Sequence, residues 1–208
     1  MIAIVDYGMG NLRSVEKALL KLGHPAVISS DPDELLRADR LILPGVGAFG
    51  AAMANLTRAE ADGASLDEAV RQFVRSGRPF FGICLGMQLL LTESEELGQH
   101  RGLDLLPGQV VRFDFADDPT LKIPHMGWNA LHFPRPTPLF AGLEEGTQVY
   151  FVHGFHCVPD EPEVTAATCT HGIPFCAALA KDNVFAAQFH PEKSGAAGLR
   201  ILDNFARL

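Results

Sequence analysis

Phe80-Phe81-Gly82-Ile83-Cys84-Leu85-Gly86-Met87-Gln88-Leu89-Leu90 is an apolar strand that runs into a small-residue turn carrying one cysteine and leaves it as a helix. A strand that doubles back into a helix leaves almost no room beside the turn, and Gly82 and Gly86 supply that room as Gly-x-Cys-x-Gly. The helix that follows would aim unpaired backbone N–H groups and its positive end at the sulfur, favouring the thiolate over a thiol whose free pKa is about 8.5. The alternative is a buried structural cysteine ahead of an ordinary amphipathic helix.

The segments on either side predict how that turn is held. Ile2-Ala3-Ile4-Val5 is a short apolar run of buried-strand type, and Leu12, Val15, Leu19 and Leu22 then fall on one helical face that Asn11 can cap and Gly23 can end. A second strand over 26–29, a short helix over 31–38 and a third strand at Leu41-Ile42-Leu43, stopping at Pro44-Gly45, follow. Leu66, Val70, Phe73 and Val74 mark another helix, ended by Gly77 and followed by a strand over 79–83. Such alternation predicts an α/β fold with a parallel sheet, helices on both faces and reactive groups on loops at the carboxyl ends of the strands. After Gly98 the chain breaks into strand-like pieces at 109–115, 148–152, 164–170, 176–179 and 184–189, which predict an antiparallel extension of the sheet. An amphipathic helix over 198–205 closes the sequence, and 58–65, rich in Ala and charge, reads as a surface loop.

At 208 residues and 47% hydrophobic, the chain has the size and apolar supply of one domain spanning 1–208. No apolar run approaches bilayer length, and the N-terminal residues lack the basic region and cleavage site of a signal peptide, so the expected location is the cytoplasm. The four cysteines, Cys84, Cys157, Cys169 and Cys176, are then expected as free thiols. Without a Cys-x-x-Cys pair they make a poor zinc site. A formal charge of -8 argues against nucleic acid or an anionic membrane as partner.

A cysteine nucleophile needs a base, and the base needs an orienting group. Among eight histidines, His190 is delivered to a strand end by 184–189 and followed by Pro191-Glu192. In an extended segment His190 and Glu192 face the same side, so the carboxylate can hold one ring nitrogen while the other is aimed at the sulfur. A polar turn is the simpler reading of the tripeptide alone. Acyl transfer also needs oxyanion donors, for which Leu85 N–H and the loop Pro44-Gly45-Val46-Gly47-Ala48-Phe49 are candidates. A phosphate-binding reading of that loop fails for want of the G-x-x-x-x-G-K-[ST] pattern.

Phe81-Gly82-Ile83-Cys84-Leu85-Gly86-Met87-Gln88, Pro44-Gly45-Val46-Gly47 and Gln188-Phe189-His190-Pro191-Glu192-Lys193-Ser194 resemble, in order and spacing, the three signature regions of class I, triad-type glutamine amidotransferases, whose fold is flavodoxin-like. Asp6-Tyr7-Gly8-Met9-Gly10-Asn11-Leu12 and Ile123-Pro124-His125-Met126-Gly127-Trp128-Asn129 resemble, within that superfamily, the glutaminase subunits of imidazole glycerol phosphate synthases. The resemblance implies Cys84 as nucleophile, His190 as base and then acid, and Glu192 as orienting carboxylate. It implies Gln88 and Glu96, both placed on the helix after Cys84, as holders of the polar end of L-glutamine, with Gly45, Val46, Gly47 and Leu85 lining the substrate and oxyanion site. It implies no cofactor and no metal. The implied partner is a separate (β/α)8-barrel cyclase, joined as a heterodimer that channels ammonia, with Asn11, Trp128, Tyr150 and Lys193 facing that partner or the ammonia exit.

Unaided, Trp128, the one tryptophan, reads as a core or hinge aromatic, and Lys193 as a surface charge. The run Tyr150-Phe151-Val152-His153-Gly154-Phe155-His156-Cys157 departs from the family, which more often reads His-Ser-Tyr after the valine. Gly154 drops a hydroxyl, and His156 and Cys157 add a second His and Cys near the expected site. A branched Val46, where sister enzymes carry glycine, implies weak stand-alone activity until the partner binds. Two other readings remain: a class I amidotransferase serving a different synthase, and a non-catalytic thiol sensor.

Overall fold

Ile2 and Ile4 point to one side of the first strand and Ala3 and Val5 to the other, and all four are buried. A strand apolar on both faces has to be covered on both. A computed structural model describes residues 1–58, 65–115 and 120–208. Of the stretch 58–65 read as a loop, 59–64 lie outside the described residues.

The centre of the sheet is five parallel strands in the order β2 (Ala26–Ser29), β1 (Ile2–Val5), β3 (Arg40–Gly45), β4 (Phe80–Cys84) and β13 (Val184–Ala187). Helices α1 (Leu12–Lys21) and α6 (Gly195–Ala206) pack on the Ile2 and Ile4 side. Helices α2 (Pro32–Arg37), α3 (Phe49–Leu56) and α4 (Leu66–Arg75) cover the Ala3 and Val5 side. Phe81 of β4 meets Phe205 of α6 with ring centroids 5.2 Å apart, which ties the C-terminal helix to the strand that carries the cysteine. This is the mostly parallel, doubly covered sheet that the alternation predicts.

Beyond β13 the sheet continues antiparallel through β12 (Ile173–Lys181), β10 (Phe155–Pro159) and β7 (Gly108–Arg112). Short strands β5 (Glu93–Ser94) and β6 (His100–Arg101) form its far edge, β11 (Thr165–His171) pairs with β12, and β8 (His125–Ala130) and β9 (Gln148–His153) form a separate pair.

Several expectations shift. The segment 184–189 yields a strand over Val184–Ala187 only, and it joins the parallel centre because the chain returns to insert it between β4 and β12. β3 does not stop at Leu43: Pro44 pairs with Ile83 and Gly45 with Cys84, which carries Gly45 to the turn. α3, β8 and β10 are additions, the latter two because Gly127 and the mixed run after Gly154 hide any alternation. Gly23 (φ +83°) ends α1 as expected, with its own N–H on Leu20 O and that of His24 on Leu19 O. Asn11 stands at the N-cap but spends its side chain on the Ser14 hydroxyl, 2.8 Å away, and on no helix N–H.

Candidate active site

The turn after β4 is strained in the manner of a nucleophile elbow. Cys84 has φ +55° and ψ −111°, a backbone region that non-glycine residues rarely enter. Its flanking glycines are demanded by contact. A Cβ on Gly82 would lie 2.7 Å from Gly86 O, and one on Gly86 would lie 1.8 Å from Leu43 O. The helix that follows, α5 (Leu85–Gln88), is a single turn. That corrects the expectation of a long helix: the apolar run continues as buried turn residues Leu89 and Leu90, so α5 offers unpaired first-turn N–H groups, Leu85 among them, and little macrodipole.

His190 and Glu192 do meet. Glu192 can only accept, so His190 Nδ1–H donates to its Oε1 at 2.9 Å, with both side chains almost fully buried. Their contact comes through a tight 3₁₀ turn over Pro191–Lys193 and not through an extended segment. Tyr150 O accepts from His190 N at 2.9 Å, and Ser194 Oγ bridges His190 O and Tyr150 N, which pins the turn to β9. Burial pulls the imidazole down, but its interactions with Cys84 and Glu192 outweigh burial and raise it to about 9.

Cys84 and His190 open onto a cavity of about 200 Å³, lined also by Val46, Gly47, Leu85, Gln88 and Glu96 on one side and by Val152, His153, Gly154 and Phe155 on the other. This volume suits a small polar molecule. Gly45 lies beneath the loop, where a Cβ would come within 2.5 Å of the Tyr7 hydroxyl and 2.8 Å of Leu85 Cβ. Glu96 reaches the cavity, though not from a helix: it follows β5, and Phe49 N–H donates to its Oε2 at 2.7 Å. Gln88 spends Nε2 inside the protein, on Phe155 O at 3.1 Å and Gln188 Oε1 at 3.0 Å. What Glu96 and Gln88 retain for a ligand is acceptor oxygen, which fits an ammonium group.

Sequence reasoning missed several neighbours. Gln188, wholly buried, donates Nε2–H to Cys84 Sγ at 3.7 Å, and its place two residues before His190 on one face of the chain was the available signal. Tyr7 carries a buried hydroxyl without a partner, and burial, reinforced by Cys84, raises its pKa. His153 donates Nδ1–H to Phe155 O at 2.8 Å and accepts from His125 Nδ1–H at 3.0 Å, and Asn129 Nδ2–H donates to His125 Nε2 at 3.2 Å. Burial pushes His125 down to about 4 and His153 to about 3. This chain of neutral rings has no local sequence signal because its members come from different strands.

His156 and Cys157 face away from the cavity. His156 stacks on Phe113 with centroids 4.7 Å apart, and Cys157 is buried opposite Cys176 on β12 with its thiol pushed up by burial. Both border a separate, shallower cavity of about 270 Å³. All four cysteines are free. Among the described residues no cluster of His, Cys, Asp and Glu is arranged to hold a metal, and no helix is long and apolar enough to cross a membrane.

Trp128 is no core residue. It is 56% exposed, sits opposite Tyr150 in the β8–β9 pair and meets its ring edge-on at 6.1 Å. Exposed Lys193 and half-buried Asn11 complete the set of expected partner-facing positions, and Met126, also on β8, is 62% exposed.

Residues 3–208 match the family described as glutamine amidotransferase class-I. The chain is 54% identical over 208 residues to the imidazole glycerol phosphate synthase subunit HisH of Syntrophotalea carbinolica, covering 99% of this chain and 98% of that one. It is 50% identical over 207 residues to the protein of the same description from Chlorobaculum tepidum, covering 99% of each. In fold it is similar to a crystal structure of a glutamine amidotransferase, at 21% identity and a TM-score of 0.71 with full coverage of both chains. The structure of PurLQS from Thermotoga maritima gives a TM-score of 0.72 at 19% identity, over 99% of this chain and 97% of that one.

Proposed function

This chain belongs to the class I glutamine amidotransferases as a glutamine-hydrolysing subunit that feeds a cyclase partner in histidine biosynthesis, and we propose that its chemistry runs through Cys84, His190 and Glu192. The observation that carries the reading is a strained cysteine turn that shares one small cavity with a buried, carboxylate-held imidazole.

In this reading L-glutamine enters with its α-ammonium toward Glu96 and Gln88 Oε1 and its side-chain amide toward Cys84. Sγ attacks the amide carbon. The carbonyl oxygen takes up negative charge against Leu85 N–H and the Gly45, Val46 and Gly47 backbone, where losing one donor typically costs about 3 kcal/mol. His190, raised to about 9, is an imidazolium at neutral pH and gives its proton to the departing nitrogen. Ammonia leaves, and His190, now neutral, takes a proton from the water that attacks the thioester and keeps it. The imidazolium is thereby restored beside the released sulfur, while the new glutamate carboxyl loses its own proton to solvent. Glu192 holds Nδ1–H throughout and so fixes the tautomer.

We read the chain as one domain over 1–208, working in the cytoplasm. The partner is a (β/α)8-barrel cyclase that receives ammonia by a channel past Asn11, Trp128, Tyr150 and Lys193. Val46 leaves the oxyanion site incomplete until that partner and its nucleotide bind. The test is glutamate release by the chain alone and mixed with the cyclase and its nucleotide ligand. Weak turnover alone and strong stimulation by the pair are expected; no stimulation would remove the assignment to this partner.

A further inference from the structure

β13 runs parallel to β4 with Ala187 opposite Ile83. The next residue along each strand therefore brings Gln188 level with Cys84, and the Gln188 Nε2 to Cys84 Sγ distance of 3.7 Å is within hydrogen-bond reach of a sulfur acceptor. Which end of the amide faces the sulfur decides whether the contact helps or hinders a negative charge there.

The neighbours decide it. Phe155 O can only accept, so Gln88 must present Nε2 to it, at 3.1 Å. The same Nε2 lies 3.0 Å from Gln188 Oε1, so Gln188 turns its oxygen to Gln88 and its nitrogen to Cys84. The polarity of two buried amides is thus set by one main-chain carbonyl. His153 Nδ1–H shares that carbonyl and leaves its acceptor role unambiguous. Gln188 is fully buried, so its amide is shielded from bulk solvent.

We propose that Gln188 is a second partner of the reacting sulfur. Its N–H stabilises negative charge on Sγ before attack and again as the thioester breaks, and Gln88 acts as a positioning residue that fixes its orientation. The proposal rests on Cys84 being the nucleophile.

The test replaces Gln188 in the full chain by Met, of the same length without a donor, and by Glu, of the same shape with a carboxylate facing the sulfur. Alkylation of Cys84 by iodoacetamide at neutral pH, followed by mass analysis of its peptide, reads the sulfur without glutamine or partner. Turnover is read with the cyclase present. Gln188→Met should slow alkylation and lower kcat by about tenfold each with KM for glutamine within about twofold, as expected for loss of a hydrogen bond to a charged group. Gln188→Glu should slow alkylation by about a hundredfold, because the lost donor is replaced by a like charge. Wild-type alkylation and kcat in Gln188→Met would overturn the proposal. Should Gln188 variants fail to fold, Gln88→Leu, which frees the Gln188 amide to turn, should slow alkylation by about threefold, and an unchanged rate there would overturn it equally. Slower alkylation in the variants of a chain with no glutaminase activity would sink the functional reading and leave the sulfur contact standing.

Discussion

Gly86 stands so close to Leu43 that a Cβ on it would lie 1.8 Å from the Leu43 carbonyl oxygen. The start of α5 therefore rests directly on the backbone of β3, and the position of Leu85 N–H is fixed by that contact. Gly86→Ala should push the two apart, destabilising the fold by about 3 kcal/mol by overpacking. The displaced oxyanion donor should lower glutaminase turnover by about a hundredfold or more. Urea unfolding and glutamate release measure the two effects, and wild-type values for both would contradict the tight contact.

Glu192→Gln keeps the shape of the buried pair and removes its charge. An amide can offer Nε2–H to Nδ1 and select the wrong tautomer, so kcat should fall by about a hundredfold or more while KM for glutamine changes little. Steady-state kinetics with the cyclase present read this directly; a large rise in KM at constant kcat would mean that Glu192 binds substrate instead.

Stability should peak near pH 6.5 on account of the histidines. His190 is raised from 6.5 to about 9, burial being outweighed by Cys84 and Glu192, so the stability it contributes is complete below 6.5 and is lost as pH rises through about 9. Burial lowers His125 and His153 from 6.5 to about 4 and about 3, so their contribution is complete above 6.5 and is lost as pH falls through those values. Urea unfolding from pH 4 to pH 10 checks both limbs: His190→Asn should flatten the alkaline one and His153→Gln the acid one. A variant curve running parallel to wild type on its own limb would refute that assignment.

Trp128 is largely exposed on β8, so Trp128→Ala should change the stability of the isolated chain by no more than about 0.5 kcal/mol. Against the cyclase the same change should weaken half-maximal stimulation by about tenfold or more, as truncation of an aromatic anchor does. Titrating the partner into each form separates the two expectations, and equal stimulation curves would take Trp128 out of the interface.

The turn at Cys84 was legible because its requirements are local: Gly82, Cys84 and Gly86 lie within five residues, and sterics alone dictate the spacing. His190 and Glu192 were legible for the same reason, although the 3₁₀ turn that joins them was not. The length of α5 was illegible, since Leu89, Leu90 and Leu91 are buried and apolar whether they continue a helix or leave it. Glu96 was placed on the wrong element by that same run. The His125–His153 pair depends on strands that meet only in the folded sheet, so no local window contains it. Gln188, although two residues before His190 on one face of the chain, meets Cys84 only through the pairing of β13 with β4.

β13 is made near the end of the chain but lies between β4 and β12. During synthesis, β4 and its cysteine must wait at an open sheet edge until residues 184–187 emerge, and the pairing that then forms spans about a hundred residues of chain, a slow, non-local closure. A nascent or truncated chain that ends before His190 carries the thiol without its base. In the proposed chemistry such a copy has no group to protonate the departing nitrogen, so it cannot complete glutamine hydrolysis by this route.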